Sequence, residues 1–148
     1  MFPQKTRTWV LTADGAKAKT FEWLPKTNFL KEIESFENSE ARKPERDLKA
    51  DRPGHGINPT ARYAVDEKSS YKQQASQSFL KEVAGVLNTN ETQSAYDKLV
   101  IIAQQEVYQT IWDNLSLEAK DKITLHHAKD LTNVPQQELS DYYNKYIR

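Results

Sequence analysis

Cysteine is absent from the chain, and with it go disulfides, thiolate catalysis and cysteine-bound zinc. The fold must hold by packing alone. Charge of either sign is not in excess: 21 basic and 21 acidic residues cancel, so no global field draws the protein to nucleic acid or to an anionic membrane. Any such attraction has to be local. Long apolar runs are also missing, since no stretch approaches the roughly 18 residues of a membrane span and the opening MFPQKTRTWV has no apolar core of a signal peptide. The expectation is a cytoplasmic protein with no membrane partner.

What is there suits one globular domain over residues 1–148. Hydrophobic residues make up 37%, charged residues 28%, and an aromatic share of 10% supplies large side chains for a core. No internal repeat or low-complexity tract stands out.

The organising stretch is Thr8 to Leu24, TWVLTADGAKAKTFEWL. Two strand-forming runs, Thr8 to Ala13 and Lys17 to Leu24, meet at Asp14-Gly15, an acid-glycine pair that signals a hairpin. Gly15 is expected to supply positive φ, and Phe21 and Trp23 to face the core. Turn residues at Pro25 to Asn28 lead into a third strand, Phe29 to Phe36, which completes an antiparallel meander. Regular patterning then stops, leaving a long loop over about 38–68 punctuated by Pro44, Pro53, Gly54, Gly56 and Pro59. Loops of that length are uncommon in compact domains and are usually functional or disordered.

A helix is predicted from Ser69 to Leu87, because Ser70 and Gln73 fit a capping box and Tyr71, Ala75, Phe79, Val83 and Leu87 recur every fourth residue. Asn88 to Thr92 reads as its stop. Lys98 to Ala103 is a short continuous apolar run, as in a strand buried on both faces. Helices are predicted from Gln105 to Leu115 and, capped by Ser116, to Lys122; a last strand runs from Ile123 to Ala128. Pro135 opens a final helix to Ile147 with Leu139, Tyr142, Tyr143 and Tyr146 on its apolar side. A meander followed by two right-handed βα crossovers is the ribonuclease-H-like topology, an α/β three-layer fold with a mixed five-stranded sheet.

No catalytic signature emerges. Asp14 ends the first strand, where ribonuclease-H-type nucleases place a metal-binding carboxylate, but with only Glu82 and Glu106 in view no convincing further ligands follow, and turn chemistry is preferred. His126 and His127 are adjacent on a strand and face opposite ways, so they do not readily share a metal. Gly54-His55-Gly56 is too short for the usual phosphate-cradling loops. No metal or cofactor is implied.

The candidate binding surface is the loop itself. Residues 42–66 hold six basic side chains against four acidic, an excess of +2, whereas residues 91–148 hold six against nine. Arg42, Lys43, Arg46, Lys49, Arg52, His55 and Arg62 can meet phosphates, and Tyr63 can stack on a base. Pairing of Glu45, Asp47 and Asp51 with these cations is the competing reading.

Several blocks resemble the bacterial host-attachment protein family: Trp9 to Phe21 with Ala13-Asp14-Gly15-Ala16, Asp51-Arg52-Pro53-Gly54, Ala61-Arg62-Tyr63-Ala64, the helix through Phe79, Leu99 to Ala103, and Lys129-Asp130-Leu131-Thr132-Asn133-Val134-Pro135. That family is similar in turn to the middle domain of archaeal and eukaryotic peptide-chain release factors. The resemblance implies a ribonuclease-H-like fold and a translation-associated role, with ribosome, tRNA or rRNA as partner. Release factors carry a Gly-Gly-Gln loop before the long helix to promote peptidyl-tRNA hydrolysis; the matching stretch here, Gly54-His55-Gly56-Ile57-Asn58, has none. The expectation is therefore a non-enzymatic RNA- or ribosome-binding factor. A protein-interaction factor in attachment to host cells is the alternative, and a metal-dependent nuclease or a peptidyl-tRNA hydrolysis factor the more remote ones. Oligomeric state is open.

Overall fold

The computed structural model describes residues 6–38 and 61–148, with backbone alone for 61–72. Strands β1 (Thr8–Ala13), β2 (Lys17–Leu24) and β3 (Phe29–Glu37) come first. Helix α1 (Ala61–Thr92), β4 (Lys98–Ile102), α2 (Gln105–Asp113), α3 (Leu117–Lys122) and β5 (Ile123–His127) follow, and α4 (Gln136–Tyr142) runs into a π-helical turn, Tyr143–Ile147.

The sheet order is β3-β2-β1-β4-β5. β1 pairs antiparallel with β2, Val10 opposite Phe21 and Ala13 opposite Ala18. It pairs parallel with β4, Val10 opposite Val100 and Thr12 opposite Ile102, and β5 adds parallel to β4. The chain therefore has the mixed five-stranded, three-layer α/β fold of ribonuclease-H-like strand order.

Strand alternation divides β1 between two cores. Trp9, Leu11 and Ala13 pack with Phe79, Leu80, Val83 and Leu87 of α1, Ile111 of α2 and Ala119 of α3. Val10 packs on the other face with Phe21, Trp23, Ile102, Leu139 and Tyr143. Burying each large apolar side chain contributes about 1.5–3 kcal/mol. Tyr96 is wholly buried, packs tilted against Trp9 with ring centroids 5.1 Å apart and donates its hydroxyl to the Leu87 carbonyl. Burial, then the nearby Glu91 carboxylate, raises its pKa well above the ordinary tyrosine range.

Four expectations need correction. Helix α1 starts at Ala61, not Ser69, because Ala61, Arg62, Ala64, Glu67 and Lys68 are strong helix formers without an interrupting glycine or proline. The expected loop over 38–68 therefore loses residues 61–68, and Arg62 and Tyr63 stand on the first turn of a helix. At its other end α1 passes Asn88 and stops at Thr92. Asn88 ties α1 to the α2–α3 connection instead, donating to the Asn114 carbonyl and accepting from the Ser116 N–H. The stop is made by Ser94 at φ 56°, with the Ala95 N–H bonded to the Asn90 carbonyl and the Ser94 N–H to that of Glu91, a Schellman closure with serine in glycine's usual place.

Gly15 does not take the positive φ its pattern predicts; what it provides is space, since a Cβ there would lie 2.8 Å from Ser76 Oγ. Tyr146, expected on the apolar side of the last helix, is 61% exposed. The π-helical turn, closed by the Arg148 N–H on the Tyr143 carbonyl, shifts the helical phase and turns Tyr146 outward.

Candidate nucleic-acid interface

The carboxyl ends of the parallel strands lie at one edge of the sheet, where α/β folds ordinarily bind ligands. Asp14 stands there just past β1. Its Oδ1 accepts from the Ala16 and Lys17 N–H groups at 2.7 Å each, and its own N–H donates to the Lys17 carbonyl at 2.9 Å, an Asx turn of the kind aspartate forms before glycine. The other oxygen, Oδ2, accepts from the Thr132 hydroxyl at 2.8 Å. Thr132 is 2% exposed, and its hydroxyl also lies 2.7 Å from Asp130 Oδ1. A hydroxyl has one hydrogen, so it serves one carboxylate at a time.

The hairpin turn is thereby latched to the β5–α4 connection across the edge of the sheet. Asp14 accepts three protein hydrogens. Among the described residues no three His, Asp or Glu side chains gather as a metal site.

Beside this latch the chain leaves β3. Asn38 is buried; its N–H donates to the Ala16 carbonyl at 2.8 Å, and its side-chain amide to the Gly15 and Ala75 carbonyls at 3.2 and 3.1 Å. Ser76 touches the same glycine. The stretch between β3 and α1 thus departs from the β1–β2 turn, and α1 passes that turn again at Ala75 and Ser76. Arg42, Lys43, Arg46, Lys49, Arg52 and His55 lie outside the described residues. Arg62 and Tyr63 are placed on the first turn of α1, which contains no acidic residue.

Behind the edge, the two β5 histidines separate onto opposite faces. His126 stacks on Tyr108 of α2 at 3.7 Å, its Nε2 2.8 Å from the Ala103 carbonyl. His127 faces α4, its Nε2 2.9 Å from the Tyr142 hydroxyl. Burial, then the positive charges of Lys129 and His126, lower the His127 pKa below its ordinary value. Sequence reading had no signal for these aromatic partners, because Tyr108 and Tyr142 reach β5 only through the crossovers. Nor does the sequence pair Asp14 with Thr132, which are 118 residues apart. Helices α1 and α2 also flank an open polar groove lined by Gln74, Gln77, Ser78, Lys81, Thr110, Asp113 and Asn114.

Fold and edge together define a three-layer α/β domain whose first-strand carboxylate is committed to a turn and a latch. The chain belongs to the family described as "protein required for attachment to host cells", whose model matches residues 9–142. No curated protein matches the sequence. No helix among the described residues is long and apolar enough to cross a membrane.

Proposed function

We propose that this host-attachment-family protein is a non-enzymatic, translation-associated factor that binds RNA on the ribosome, rRNA or tRNA, through the basic stretch from Arg42 to Tyr63. The observation that carries the proposal is the point of departure of the stretch: Asn38, just before it, is held at the β1–β2 turn by the Gly15 carbonyl and to α1 by the Ala75 carbonyl. The stretch over 42–66 holds six basic residues against four acidic in a chain whose charges otherwise balance. The likeness to release-factor middle domains supports the ribosome as the setting. The missing Gly-Gly-Gln argues against peptidyl-tRNA hydrolysis.

Phosphate contacts release counterions, each steepening the salt dependence by about 0.7 for single strands and about 0.9 for duplex DNA in log–log slope. Co-sedimentation of the full chain with ribosomes at low and moderate salt tests the proposal: association that weakens with salt is expected, and none at either salt refutes it. The family's description supports a second reading, a protein-interaction factor in host contact. Loss of host contact on deletion, with ribosome profiles unchanged, would favour that reading.

A further inference from the structure

The α4 side of β5 carries a group of side chains that neither core nor latch requires. Tyr142 and Tyr146 stand 4.8 Å apart, centroid to centroid. Lys129 Nζ lies 5.6 Å over the Tyr142 ring, and Lys145 Nζ 5.2 Å over the Tyr146 ring. The π-helical turn leaves Tyr146 61% exposed. Among the described residues neither lysine is paired with a carboxylate. The nearby carboxylates make other contacts, Asp130 accepting from Thr132 and Asp141 from Gln137, and keep their charge, as does Glu138 four residues before Tyr142.

From this geometry we infer a second binding site, for single-stranded RNA, in which bases stack on Tyr146 and Tyr142 and the ammonium groups of Lys129 and Lys145 move from the rings to phosphates. The inference deepens the RNA-binding proposal and rests on RNA being the ligand class. Aromatic faces flanked by free cations complement a strand that alternates flat bases with anions. The protein already holds each cation beside a ring, and phosphate gives that cation a stronger partner.

The test is fluorescence anisotropy of a labelled oligouridylate titrated with the full chain at two salt concentrations. Tyr146→Ala should weaken binding about tenfold and Tyr146→Phe should retain it, since stacking needs the ring and not the hydroxyl. Lys129→Gln with Lys145→Gln should weaken binding and flatten the log–log salt slope by about 1 to 1.5. Thermal unfolding midpoints monitor folding for each variant. If Arg46→Gln with Arg52→Gln weakens binding while the strip variants bind as wild type, this inference is overturned and the proposed function stands. Weakening by the strip variants alone upholds the strip and refutes the basic stretch. A wild-type chain that binds no oligonucleotide overturns the strip, and ribosome co-sedimentation then judges the basic stretch separately.

Discussion

At Asp14 one carboxylate closes the hairpin turn and grips the β5–α4 connection, so its removal affects two places at once. Asp14→Ala is expected to cost about 2–4 kcal/mol, from charge-assisted hydrogen bonds of roughly 1.5–3 kcal/mol each, lessened by partial exposure. Thr132→Val should cost about 1–2 kcal/mol. Because the two share a bond, the double variant should fall short of the sum by about 0.5 kcal/mol or more in urea unfolding; strict additivity would dismiss the latch. His127 provides a pH-dependent prediction. Its pKa is lowered in the fold by burial first and then by neighbouring positive charge, so the unfolded chain takes up the proton more readily. The stability linked to neutral His127 is present above its ordinary 6.5 and is lost as pH falls through the lower folded value. His127→Gln should therefore narrow the drop in Tm between about pH 7.5 and about pH 5.5. An unchanged drop would assign the pH dependence to other groups.

Among the elements, strands were the most legible in sequence. β1 and β2 declare themselves by alternation and by the Asp14-Gly15 turn, and β4 by its unbroken apolar run buried on both faces. Helix ends were harder to read because their signals are ambiguous. Ser70 with Gln73 reads as a cap yet lies inside α1, whereas Ser116 is a true cap, its hydroxyl accepting from the Ala119 N–H. Tyr146 was misjudged because a single π-helical turn alters a phase that 3.6-residue spacing cannot anticipate. Gly85 yields a prediction on α1. It is exposed, and a Cβ there would meet nothing within 4 Å, so Gly85→Ala should stabilise the protein by about 0.5–1 kcal/mol through helix propensity and lower unfolded-state entropy. A lower urea midpoint in that variant would show that the helix needs glycine there for another reason.

On the scale of the whole molecule, charge is balanced overall and uneven along the chain, with residues 42–66 carrying six basic side chains against four acidic and residues 91–148 six against nine. The candidate basic residues were visible in sequence, but the contact of Asn38 with Gly15 and Ala75 was not, because the three meet only when meander and helix pack together. Family membership is shown over residues 9–142, while the proposed role rests on this one patch. The most direct measurement is ribosome co-sedimentation at about 50 mM and about 200 mM salt, comparing wild type with a variant carrying Arg42→Ala, Arg46→Ala and Arg52→Ala. The wild type should pellet with ribosomes at the lower salt and be largely released at the higher, and the triple variant should remain in the supernatant at both. A wild type that never pellets, or a triple variant that pellets as well as the wild type, would contradict RNA binding by the basic stretch.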